Sequence, residues 1–171
     1  MVRDFAPPRR LVFDAMTKPA LLVRWFGARG WHLVECEVDL QVGGSWRLVS
    51  HGPPGATLAH GGVYREIATP GRLAYTEVFD GQSYAGESLV TQQLAERHGV
   101  TTLTSTLLYP SPEARDYTLS TPMERGVGQA YGRLDELLAA MTAGRSVNTP
   151  VRAATEPRTN PTADREPEGD E

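Results

Sequence analysis

Glu77 is the residue whose type and position most invite chemistry. It lies in the run Leu73-Ala74-Tyr75-Thr76-Glu77-Val78-Phe79. Two-residue alternation puts it on one face with Leu73, Tyr75 and Phe79. A carboxylate turned into an apolar interior is costly unless partnered, and its pKa tends to rise. Such a group could serve as a general base or as a ligand anchor, with Arg47 or Arg65 on other strands as charge partners. The alternatives are that Glu77 sits at the mouth of a cavity, or that a bulge reverses the parity. It is the single weak candidate for a catalytic residue.

The other reactive side chains point to less. His32 and Cys36 share a strand face, but four strand residues span about 13 Å, so the two cannot hold one metal without a bend. His51 and His60 flank a Gly/Pro-rich stretch and His98 lies in a turn, so all three are expected in solvent. Ser45, Ser50 and Ser105 have no evident His–Asp arrangement for nucleophilic attack. Cys36 has no evident cationic neighbour to activate it and reads as an inert thiol. No metalloprotease, phosphate-loop, nucleophile-elbow or dinucleotide motif occurs, and the paired glycines at 43–44 and 61–62 are turn glycines. No metal or cofactor is expected.

Composition narrows the class. The 171 residues carry 17 Lys+Arg against 21 Asp+Glu, a formal net charge of −4. With a pI near 5.6, the chain lacks the basic excess that nucleic-acid binding needs. No apolar run has the length of a membrane span or of a signal peptide. Cys36, the single cysteine, excludes an internal disulfide and suits a reducing cytosol. From Ala143 onward there are no aromatics, prolines recur and the end is acidic. Residues 143–171 are therefore expected to be a disordered tail on a domain of residues 1–142.

The elements that would position these residues follow from periodicity. Pro7-Pro8 opens a short helix, and Thr17 caps a second one that starts at Lys18-Pro19 and ends at Gly27. Strands are expected at 32–39, 45–50, 62–67, 73–79, 88–95 and 100–109, with His51 to Ala59 as a loop and Thr69 to Arg72 as a hairpin turn. After Pro110 the period becomes helical. Met123, Val127, Ala130, Tyr131, Leu134, Leu137, Leu138 and Met141 form one stripe of a helix opened by Thr121-Pro122. Arg133 is expected on the opposite, solvent face. Gly126 and Gly128 in that helix suggest a bend or the close approach of something bulky. The expected class is α+β, a curved antiparallel sheet around one long C-terminal helix.

Several segments, in this order, resemble one family. They are Phe13 to Pro19, Leu22-Val23-Arg24-Trp25-Phe26-Gly27, Asp39 to Leu48, Gly62-Val63-Tyr64-Arg65-Glu66-Ile67, Pro70-Gly71-Arg72-Leu73 and Gly126 to Leu134. Together they are similar to the family named for the activator of heat-shock protein 90 ATPase, within the START-like (SRPBCC) superfamily of helix-grip domains. The resemblance covers about Val2 to Met141. It implies a short first strand within Val2 to Phe5 and a ligand cavity between sheet and helix. The eukaryotic co-chaperones of the family carry a further Asn/Trp/His-motif domain that has no counterpart in these residues, so chaperone activation is not implied.

Alternation then proposes a cavity lining: Val34, Cys36, Trp46, Leu48, Leu73, Tyr75, Glu77, Phe79, Leu103, Ser105 and Leu107 from strands. Helices would add Trp25, Phe26, Met123, Val127, Ala130 and Tyr131. The expected function is binding of an apolar or aromatic small molecule, lipid- or polyketide-like, by a cytoplasmic monomer or homodimer. A polyketide aromatase/cyclase-type enzyme and a co-chaperone-like interaction domain are the alternatives. An inward, desolvated Glu77 with a polar partner would favour the enzyme, and a filled cavity with an exposed apolar groove would favour the interaction domain.

Overall fold

A computed structural model describes residues 1–144; the expected tail beyond Gly144 lies outside the described residues. The elements run β1 (Val2–Phe5), α1 (Arg9–Thr17), α2 (Pro19–Trp25), β2 (His32–Val38), β3 (Ser45–Gly52) and β4 (Ala56–Ala68). They continue as β5 (Arg72–Phe79), β6 (Ser88–Arg97), β7 (Val100–Leu108), α3 (Pro112–Ser120) and α4 (Met123–Thr142). The seven strands form one sheet in the order β1-β7-β6-β5-β4-β3-β2, antiparallel throughout. Sheet, α1, α2 and α4 close on a core in which Phe5, Val12, Leu103, Leu134 and Leu138 are at most 1% exposed.

Local chemistry explains the helices. Pro8 precedes α1, where a missing N–H costs nothing, and Pro19 occupies the first turn of α2. Thr17 does not cap α2 as expected. Lys18 holds that position, and the Thr17 hydroxyl donates to Phe13 O at 2.8 Å. The Trp25 indole N–H donates to Ala15 O at 2.9 Å and ties α2 to α1. Helix α3 was not foreseen, although Ser111-Pro112 is a start signal: Ser111 Oγ accepts from Ala114 N at 3.2 Å. Thr121 belongs to the end of α3, donating to Thr118 O at 2.7 Å, and α4 starts at Met123 without a side-chain cap.

Three departures bear on the site. First, the segment from His51 to Ala59 is a hairpin, with Val49, Ser50 and His51 paired to Ala59, Leu58 and Thr57. The turn needs only the residues about Pro53-Pro54-Gly55, so β4 extends back through His60. Second, β2 has a bulge between Leu33 and Glu35. It turns Val34 out to 55% exposure and sends Leu33 into the core in its place. Third, β4 pairs with β5 through an irregularity between Tyr64 and Glu66. The register runs His60↔Phe79, Gly61↔Val78 and Tyr64↔Tyr75, which sets Gly62 opposite Glu77. A Cβ on Gly62 would lie 1.8 Å from Thr76 O, and Val63 N donates to Thr76 Oγ1 at 3.1 Å. Only glycine permits that approach.

Candidate functional site

This register brings His60 onto Glu77. His60 Nδ1 lies 3.0 Å from Glu77 Oε1, with the side chains 7% and 15% exposed. His60 is therefore buried in mid-strand, contrary to its expected place in solvent. It occupies the position diagonal to Glu77, and Gly62 offers no side chain between them. An ionised carboxylate only accepts, so Nδ1–H donates to it, and in a neutral imidazole Nε2 is then the ring's acceptor.

Glu77 faces inward, as parity proposed, but its partner is neither expected arginine. Arg47 points to the outer face, because its neighbours Trp46 and Leu48 point in. It pairs with Asp80 at 2.7 Å, which raises the Arg47 pKa and lowers that of Asp80. Arg65, exposed beside the β4 irregularity, lies 3.7 Å from Glu87.

Aromatic rings enclose the pair. His60 stacks on Phe79 at 4.8 Å between centroids, meets Trp46 edge-on at 5.2 Å and lies 5.6 Å from Phe26. Trp46 meets Tyr75 at 5.3 Å, and Trp25 links Phe26 to Tyr131 at 5.6 and 6.0 Å. Burial, with a contribution from the Glu77 charge, pushes the Tyr75 phenol well above its usual pKa. Burial also lifts Tyr131 to about 12, opposed by Arg3 and assisted by Glu77. His60 Nε2 and Trp46 Nε1 are buried and make no hydrogen bond with the protein.

The proposed lining divides along α4. Trp25, Trp46, Leu48, Leu73, Leu103, Ser105, Ala130 and Tyr131 are buried. Phe26, Cys36, Tyr75, Glu77, Phe79, Leu107, Met123 and Val127 are half-buried, and Val34 is outside. Burial is complete at Leu134 and Leu138 and falls off toward Val127 and Met123. The grip is thus closed around the second half of the helix and looser around the first. Gly126 and Gly128 face no atom within 4 Å of an added Cβ, so the protein itself supplies no bulky neighbour there. Burial raises the Cys36 pKa and keeps the thiol protonated.

A cavity of about 240 Å³ lies elsewhere, at the α3–α4 junction between Thr118 and Arg125. Of the proposed lining it includes only Met123. Against α4, Tyr131 packs instead on Trp25 and Phe5, at 6.0 and 6.1 Å between ring centroids. Among the described residues no cluster of three or more His, Cys, Asp or Glu could hold a metal, and no helix is long and apolar enough to cross a membrane.

Sequence reasoning also misplaced Arg133. Its guanidinium reaches the segment after α2, donating to Gly27 O at 3.0 Å, Trp31 O at 3.2 Å and Arg24 O at 3.3 Å, with Phe26 O and Ala28 O at 3.4 and 3.5 Å. These bonds fix the backbone that presents Phe26 to His60. No local periodicity signals them, since their partners lie about a hundred residues away in the chain.

A curved seven-stranded antiparallel sheet closed on one long C-terminal helix is a helix-grip domain of the START-like class. The family described as Activator of Hsp90 ATPase homolog 1-like protein matches residues 6–139, and the chain belongs to it. A crystal structure from Rhodobacter sphaeroides is similar, with 38% identity and a TM-score of 0.76 over 82% of this chain and 91% of that one. One from Nitrosomonas europaea has 27% identity and a TM-score of 0.74 over 84% and 94%. An HSP90 activator from Plasmodium falciparum has 26% identity and a TM-score of 0.50 over 63% and 69%. Comparison with curated proteins gives no match. Family and fold support a ligand-binding or co-chaperone-like domain.

Proposed function

We propose that the domain binds an apolar, aromatic small molecule at the looser end of the grip, against Phe26, Phe79 and Val127, with His60 and Glu77 beneath. The observation that carries this reading is the buried His60–Glu77 pair, enclosed by aromatic rings and flanked by two polar atoms that make no bond with the protein. Recognition sites combine apolar walls with a few placed polar groups in this way. The α3–α4 cavity is lined by exposed residues such as Leu119, Pro122, Glu124 and Arg125, and no buried polar group is among them. Binding beneath α4 requires the half-buried Phe26 and Val127 side chains to give way. The same carboxylate–imidazole pair suits acid–base work on a bound molecule, as in an aromatase/cyclase-type enzyme.

Burying about 300 Å² of ligand apolar area at about 25 cal/mol/Å² yields about 7.5 kcal/mol before association costs. Micromolar affinity, about −8 kcal/mol, is therefore near the ceiling without polar anchors. Titration with polycyclic aromatics, fatty acids and sterols, followed by tryptophan quenching, tests it. The aromatics should quench, and Trp46→Ala should alter their binding while the domain stays folded. Absence of quenching across the panel would refute the reading.

A second reading, docking of a protein partner, is favoured by apolar groups around α3. Leu108, Tyr117 and Leu119 are 66%, 50% and 62% exposed, and the Plasmodium falciparum neighbour is an HSP90 activator. Loss of partner binding in a Tyr117→Ser, Leu119→Ser variant with small-molecule binding intact would support it.

A further inference from the structure

His60 uses one of its two ring nitrogens. Nδ1 is engaged by Glu77 at 3.0 Å, which orients the ring. Nε2 is buried and bonds to nothing in the protein. The ring centroid of Trp46 is 5.2 Å away, and its indole N–H is the complementary case, a buried donor without an acceptor. A buried polar atom left without a partner is costly. Two such atoms of opposite character on adjacent rings call for a group that both donates and accepts.

We infer that His60 Nε2 accepts a hydrogen bond from the acidic hydroxyl of an aromatic ligand, a phenol or enol, whose oxygen in turn faces the Trp46 N–H. The inference rests on the aromatic-ligand reading above and specifies the ligand's chemistry. A carboxylate ligand would meet the Glu77 charge and has no proton to offer Nε2. An alkylammonium would pair with Glu77 but leave the Trp46 donor unmet. A phenol suits both atoms and the surrounding rings. Glu77 is then a positioning residue, acting through the imidazole. Access passes by Phe26. Phe79 stacks on His60 as its cross-strand partner and Trp46 is 6% exposed, whereas Phe26 is half-buried at the end of α2. Arg133 holds the Phe26 backbone, so the movement is a rotation of the side chain.

The test compares 2-naphthol with 2-methoxynaphthalene, which has nearly the same shape and keeps the oxygen but lacks the proton. The full chain should bind naphthol about tenfold more tightly, the scale of one hydrogen bond. His60→Leu should abolish that preference while still binding the ether. Glu77→Gln, which keeps an acceptor for Nδ1–H but not the charge, should reduce the preference severalfold without changing affinity for the ether. Should His60→Leu fail to fold, the ¹⁵N resonance of His60 Nε2 in the unaltered protein serves instead, and it should shift with naphthol and not with the ether. Equal affinity for the two probes, or an Nε2 resonance that naphthol leaves in place, overturns the inference and leaves the aromatic-ligand reading standing. Failure of both probes to bind overturns both.

Discussion

Arg133→Ala separates the helix face expected from periodicity from the one observed. A solvent-facing arginine would cost under about 0.5 kcal/mol to remove. The observed guanidinium serves the carbonyls of Arg24, Phe26, Gly27, Ala28 and Trp31 at 3.0–3.5 Å. Only the bonds to Gly27 and Trp31 approach ideal length. Hydrogen bonds to a charged group contribute about 1.5–3 kcal/mol. Water can reach some of the freed carbonyls, so the expected loss is about 2–3 kcal/mol for the set. For a domain of this size that is a fall in Tm of about 6–12 °C. Arg133→Lys, which keeps the charge but not the planar fork, should lie between. Urea titration of the three proteins supplies the numbers. A loss under about 0.5 kcal/mol for the alanine variant would show that the clamp does not hold the segment, and the account of how Phe26 is presented would fall with it.

Other outcomes follow from the same structure. Leu134→Ala, at a fully buried position, should cost about 2–5 kcal/mol in denaturant titration; a value under about 1 would mean that α4 does not seal the core there. Tyr131 titrates near 12, above its ordinary value of 10. The folded state then holds the phenol proton more tightly than the unfolded chain, so its contribution is complete below about pH 10 and is lost as pH rises through about 12. Denaturant midpoints across that range should fall, and a flat profile would contradict the burial of the phenol. Removal of residues after Gly144, aromatic-free and proline-rich, should leave Tm unchanged, and a drop of several degrees would place part of the fold's stability in that segment.

Where one rule decided a segment, the sequence was legible. The α4 stripe from Val127 through Leu138 reflects a period no other element imposes, and Thr69 to Arg72 announced its hairpin by turn chemistry. Glu77 turned inward because parity held along β5. Parity failed where one residue was inserted: the bulge after Leu33 reversed Val34. The histidine of the site was missed for a related reason. The Gly/Pro-rich stretch was read as a long loop, which cut β4 short of His60, whereas a tight turn satisfied the same residues. Taken as a strand through Ala59, the alternation His60, Gly62, Tyr64 would have pointed His60 inward. The Arg133 clamp has no local signature, since it joins α4 to carbonyls of a distant loop. The enclosing rings were individually foreseen, but their closeness under α4, in place of an open cavity, is a property of the packing.

Amide chemical-shift mapping during a titration with 2-methoxynaphthalene tests whether an aromatic ligand enters the space beneath the first half of α4. The shifts should centre on Phe26, His60, Glu77, Phe79 and Val127, with saturation at micromolar to tens-of-micromolar ligand. Shifts centred instead on Thr118, Leu119, Glu124 and Arg125, around the α3–α4 cavity, would contradict this placement and move the binding site there.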